Sequence, residues 1–178
     1  MQRVAVFGNA GGGKSTLARR LAELTQLPLY PIDMIQFRVG GGEVPREKYL
    51  EAHAEILAKD EWIIDGYGCV ASAWQRFSAA DTLVYVDLPL FTHYKWVTKR
   101  FIMGLFRNPQ GWPAKSPMWS STLSSYRVLP LCHGDLTPKY RQLVAEAAAA
   151  KRVHHLKSPR QIRSFIDEVR KEATSGKF

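Results

Sequence analysis

The 178-residue chain is 46% apolar and 23% charged, the proportions of an ordinary globular domain with one core, and it has no apolar run approaching the ~20 residues of a spanning helix. Two cysteines, Cys69 and Cys132, are too few and too far apart for a disulfide framework, and no basic-then-apolar leader precedes the first glycines, so a reduced, cytoplasmic setting is expected. The net charge of +9 sits in the second half: residues 1–90 hold 9 Lys/Arg against 11 Asp/Glu, and residues 91–178 hold 16 against 5. A basic face toward polyphosphate or nucleic acid therefore stands beside a plain solvated surface as a reading of that half.

The chain opens RVAVFGNAGGGKSTLARRLAE. Arg3 to Phe7 is short and apolar and reads as a buried strand, and Thr16 to Thr25 reads as a helix with Leu17, Leu21 and Leu24 on one face. Between them Gly8 to Ser15 follows G-x-x-x-x-G-K-[ST]. Gly8, Gly11, Gly12 and Gly13 free the backbone to turn its N–H groups onto an anion, and the helix dipole points at the same place. In that arrangement Lys14 reaches the β- and γ-phosphates and the Ser15 hydroxyl ligates Mg²⁺. The dinucleotide pattern G-x-G-x-x-G fails, because Ala10 stands where its second glycine belongs.

Pro28 to Ile32 is a second apolar run, ending at Asp33, and Arg38 to Pro45 reads as a loop around Gly40, Gly41 and Gly42. Pro45-Arg46-Glu47 opens a helix with Tyr49, His53, Ile56 and Leu57 on one face. Trp62 to Asp65 is a third strand, Ala71 to Phe77 a short helix, and Thr82 to Val86 a fourth strand followed by Asp87-Leu88-Pro89. Phe91 to Phe106 reads as a long amphipathic helix carrying Lys95, Lys99 and Arg100. Asn108 to Ser125, rich in Pro, Gly, Ser and Trp, reads as a mobile insert with room for a short helix around Trp119. Pro138 to Ala150 is a helix, Arg152 to Leu156 a fifth strand, and Ser158-Pro159 caps a last helix running to about Lys171.

Strands alternating with helices imply an α/β domain with a mostly parallel sheet, whose site lies at the carboxyl ends of the strands. The glycine loop, Asp33, Asp65 and Asp87 all follow predicted strands at that edge. Asp65 suits the Mg²⁺ side of a bound nucleotide. Asp33 suits Mg²⁺ through water, a proton from an acceptor hydroxyl, or a turn cap. Asp87 has the same local pattern, but with Pro89 behind it a turn-shaping role is equally in play. No glutamate follows Asp65 or Asp87 to activate water, and no N-K-x-D selects guanine. Phosphoryl transfer also needs cations over the moving group. Arg100 and Arg107, seven residues apart, are the candidates, with Arg127, Lys139 and Arg141 behind them.

GNAGGGKSTLARRLAE, LPLYPID, VPREKYLEAHAEILAKDEWIIDGY, DTLVYVDLP and KRVHHLKSPRQIRSFI together resemble the adenylate-kinase-like family of DNA topology modulation (FlaR-type) proteins, in the same order over nearly the whole chain. The resemblance implies a P-loop NTPase fold of the nucleoside- and shikimate-kinase kind: a five-stranded parallel sheet between helices, with residues 107–127 as a lid. It implies ATP and Mg²⁺ at Gly8 to Thr16 and on Asp65, adenine near Ser158 to Arg160, and an acceptor nucleotide or small hydroxyl compound at Asp33. Two places depart from it. The lid segment RFIMGLFRNPQGWPAKSPMW carries fewer arginines, and Asp-Gly-Tyr replaces Asp-Gly-Asn after the third strand. Both fall near the acceptor, whose identity is left open. A nucleotide-gated nucleic-acid regulator and a non-catalytic ATP binder remain the alternatives.

Overall fold

The computed structural model describes residues 1–104 and 118–175. In chain order they form β1 (Arg3–Gly8), α1 (Lys14–Thr25), β2 (Leu29–Pro31), α2 (Ile32–Gln36), α3 (Arg46–Leu57), β3 (Trp62–Asp65), α4 (Val70–Ala79), β4 (Thr82–Val86), α5 (Leu90–Gly104), α6 (Met118–Ala147), β5 (Arg152–Leu156) and α7 (Pro159–Thr174). The sheet has five parallel strands in the order β2-β3-β1-β4-β5. Its register aligns the strand ends: Val6 lies opposite Asp65, Gly8 opposite Val86, and Pro31 opposite Asp65. The glycine loop and Asp65 are thereby delivered to one edge by backbone hydrogen bonding alone.

Alternation along the strands sorts the core into two layers. Ala5, Phe7, Ile64, Leu83 and Tyr85 face α3, α4 and α6, where Tyr49, Phe77, Tyr140 and Val144 are buried against them. Val4, Val6, Ile63, Val84 and Val86 face α1 and α7, meeting Leu17, Leu21, Phe165 and Val169. The first layer is aromatic. Phe7 lies 4.3 Å from Phe77 and 5.1 Å from both Tyr85 and Tyr140 between ring centroids, spacings at which ring quadrupoles attract beyond simple burial. Ser158 caps α7, its Oγ accepting from the Gln161 N–H at 3.2 Å with Pro159 opening the helix, as the sequence predicts. Among the described residues no helix is long and apolar enough to cross a membrane.

Three elements differ from the sequence reading. Asp33 does not end a strand; it sits in the first turn of α2, a five-residue helix that periodicity does not reveal. Pro45 is the N-cap of α3 rather than its first residue. The largest difference is α6, thirty residues long with Pro130 and Pro138 inside it. The expected lid, 107–127, is described only from Met118 onward, and there it is the start of this helix rather than a loose segment. Proline interrupts the helical ladder, but Leu129, Tyr140 and Val144 are buried along one face of α6, and tertiary packing carries the helix through both prolines.

Asp87, one residue beyond β4, resolves as an anchor. Arg141 of α6 donates to it twice, Nε to Oδ2 at 2.8 Å and Nη2 to Oδ1 at 3.1 Å, and His155 of β5 bonds Oδ2 through Nε2 at 2.8 Å. Burial alone would raise the Asp87 carboxyl, but the Arg141 and His155 bonds outweigh it and leave its pKa below the usual carboxylate value. A depressed folded pKa stabilises the fold above the unfolded value and loses that contribution as pH falls through the folded one. Asp87→Ala should therefore cost about 2 kcal/mol at neutral pH. In urea melts the gap to wild type should close as pH drops below about 4.

Candidate functional site

A cavity of about 1520 Å³ opens at the carboxyl edge of the sheet. Gly8 through Leu17 form its floor, Asp33, Asp65, Gly66 and Tyr67 one side, and Ser125, Val128, Cys132, Leu136, Thr137 and Tyr140 of α6 the opposite wall. Trp96 of α5 and Ile162 and Ile166 of α7 also line the cavity. Of the residues singled out from sequence, Gly8, Gly11, Gly12, Gly13, Lys14, Ser15, Thr16, Asp33 and Asp65 all line this one space. Ser158 and Arg160 lie outside its lining, Ser158 being occupied as the α7 cap and Arg160 exposed. Arg107 and the Arg100 side chain lie outside the described residues.

The loop's conformation explains its glycines. Gly13 is left-handed, with φ of +75°, and a Cβ built on it would stand 2.8 Å from the Trp96 ring. Gly11, with φ of +67°, would meet the Val97 side chain at 2.3 Å. The glycines thus let α5 pack directly against the back of the loop. Two polar contacts complete the seating: His93 Nδ1–H donates to Ala10 O at 2.8 Å, and Asn9 Nδ2 donates to Leu129 O on α6 at 3.2 Å. Burial holds the His93 pKa below its usual value. Gly13 caps α1 with no side-chain bond, so the first-turn N–H groups of α1 are offered to a ligand.

Lys14 Nζ donates to Asn9 O at 2.8 Å across the loop. Asp65 is 4% exposed, and the nearby Lys14, Ser15, Arg76 and Arg19 all favour its charged form. Burial nevertheless dominates, and its pKa is raised. Its Oδ1 is buried with no hydrogen-bond partner. A buried carboxylate oxygen without a donor, beside a hydroxyl and a phosphate-type loop, is a donor set suited to a hard divalent cation such as Mg²⁺. Ser15 and Asp65 would hold it.

Sequence reasoning missed His93, Trp96, Arg76 and the α6 wall. His93, Trp96 and Val97 share one face of α5, and the four-residue spacing of Val128, Cys132, Leu136 and Tyr140 is a helical stripe, so a helix drawn through Pro130 would have exposed the second signal.

These features define a P-loop NTPase fold of the shikimate-kinase kind. Among solved structures, the chain is similar to the shikimate kinase of Acinetobacter baumannii in complex with shikimate, with a TM-score of 0.56 and 16% identity over 100% of this chain and 96% of that one. It is also similar to the shikimate kinase of Bacteroides thetaiotaomicron, with a TM-score of 0.51 and 16% identity over 96% of this chain and 97% of that one. At that identity the likeness is one of fold. No protein-family model matches the chain and no curated protein matches it, so the comparisons support the kinase-like fold and leave the topology-modulation resemblance without support.

The packing of α5 on the loop is open to a direct check. Gly13→Ala adds a methyl at positive φ against Trp96 and should lower stability by about 1–2 kcal/mol. Thermal melts and nucleotide titration should show both a lower midpoint and weakened binding.

Proposed function

We propose that the protein is an ATP- and Mg²⁺-dependent phosphotransferase that moves the γ-phosphoryl group to a hydroxyl of a nucleotide or small metabolite. The observation that carries this reading is the orphaned Oδ1 of Asp65, buried beside Ser15 and the Gly8–Ser15 loop in the same cavity as Asp33. Nucleotide phosphates would lie on the loop amides, with Lys14 turning from Asn9 O to the β- and γ-oxygens. The base would rest against Trp96, Ile162 and Ile166, the apolar residues of α5 and α7 that line the cavity. Mg²⁺ held by Ser15 and Asp65 would neutralise charge on the β- and γ-oxygens.

The acceptor would occupy the half bounded by Asp33, Tyr67 and α6. Its hydroxyl oxygen forms the new bond to the γ-phosphorus as the bond to the bridging oxygen breaks. ADP leaves, and Asp33 orients the hydroxyl and takes its proton. The shared fold of the solved shikimate kinases supports a small hydroxyl acid as one acceptor class, and a nucleotide is the other class to be tested.

The test is ADP release from Mg·ATP against nucleoside monophosphates, nucleosides and small hydroxyl acids. One acceptor should stimulate turnover, and Lys14→Ala should lower it by about 100-fold or more. If ATP binds and no acceptor in the panel stimulates release, the kinase reading is overturned for those classes. ATP binding should also change the fluorescence of Trp96, one of five tryptophans. The change should vanish in Trp96→Phe; if it persists, the base lies elsewhere.

A further inference from the structure

Arg76, in the middle of α4, is 0% exposed. None of the ion pairs among the described residues involves it. Its Nη2 donates to Gly66 O at 2.9 Å and to Tyr67 O at 3.2 Å, while Nε and Nη1 are buried without a partner. A guanidinium has five N–H donors, and burying it with most of them unused is costly. An apolar side chain of similar volume would serve the core as well or better. Stability therefore does not account for an arginine here.

Its grip on two consecutive carbonyls does. They belong to the loop joining β3 to α4, directly after Asp65, and Gly66 and Tyr67 line the cavity whereas Arg76 stands behind them. The loop turns through positive φ at Gly66, +117°, and at Gly68, +70°. Its far end is held by a separate set of contacts. Tyr49 Oη and Ser72 Oγ are hydrogen-bonded at 2.7 Å, and Ser72 Oγ accepts from the Cys69 N–H at 3.2 Å. The position a Cβ on Gly68 would take is 2.0 Å from Tyr49 Oη, so the loop lies hard against this support.

We propose that Arg76 is a positioning residue for the acceptor. From beneath the cavity floor it fixes the Gly66–Tyr67 backbone, and with it the Tyr67 wall that faces α6. The part of this that concerns the acceptor rests on the kinase reading above; the part that concerns the loop does not.

The experiment pairs backbone ¹⁵N relaxation with kinetics on the full chain. In wild type the Gly66 and Tyr67 amides should show order parameters near the rigid value of about 0.85, and in Arg76→Met they should fall below about 0.6 while β3 is unchanged. ATP affinity, read by tryptophan fluorescence, should stay within about twofold. For whichever acceptor the panel identifies, KM should rise about tenfold or more with kcat changed less than about threefold. Arg76→Lys should recover part of that loss, since an ammonium can hold one of the two carbonyls. A mobile loop in wild type, or a rigid loop and unchanged KM in folded Arg76→Met, overturns the proposal. Should Arg76→Met fail to fold, the wild-type order parameters and the Arg76→Lys kinetics decide. If no acceptor is found, the relaxation data still decide whether Arg76 holds the loop, so failure of the kinase reading is separable from failure of this one.

Discussion

The architecture of the site depends on the contact between α5 and the glycine loop. Val97 and Trp96 occupy the space where side chains on Gly11 and Gly13 would be, and the His93 ring lies against Gly12. Glycine here serves two surfaces at once. Toward the cavity it leaves backbone amides open, and toward the core it lets a helix approach the backbone. From this contact the rest follows outward. His93 bonds the Ala10 carbonyl, Asn9 bonds the Leu129 carbonyl of α6, and Arg141 of α6 returns to Asp87 beside the loop. The wall of the cavity opposite Asp33 is therefore tied to the phosphate loop by specific polar bonds rather than by apolar packing alone.

Buried charge divides the structural groups from those available for chemistry. Asp65 and Asp87 have the same local sequence setting, an aspartate ending an apolar strand. Asp87 accepts three hydrogen bonds from Arg141 and His155 and is fully used by the fold. Asp65 keeps an oxygen without a partner. On the layer behind them, burial and the nearby Arg76 push the His53 imidazole down to about 4, so its ring is neutral at pH 7. Burial lowers the Arg76 pKa as well, and its hydrogen bonds go to a loop carbonyl pair instead of a carboxylate.

Much of this was legible in the sequence, for reasons that can be stated. β4 is a short apolar run set between Asp81 and Asp87-Leu88-Pro89, and its composition alone locates it. The glycine loop is legible because few other needs explain glycines between a strand and a basic helix. The length of α6 was not legible, since Pro130, Gly134 and Pro138 each argue locally against a helix, and only the buried face built from Leu129, Tyr140 and Val144 overrides them. The roles of His93 and Arg76 were hidden for a related reason. A polar residue in an amphipathic helix reads as surface until the packing of its neighbours shows that it points inward. The flanks of Asp65 and Asp87 differed only by Pro89, which made a turn role for Asp87 equally open; what separates the two is the arrival of α6 and β5 at one and not the other.

The strand order carries a consequence in time. β1 comes first in this sequence yet lies at the centre of the sheet, with β3 on one side and β4 on the other. Its partners begin at Trp62 and Thr82. At ribosomal speeds of about 5–20 residues per second, the central strand waits on the order of 4–15 s for its second neighbour to be made. Until β3 is made, Val4, Ala5, Val6 and Phe7 form an apolar segment with two open edges, and until β4 is made one of those edges stays open. An unpaired strand edge is a template for wrong pairing, so the hazard in this design lies in the interval before β4 emerges.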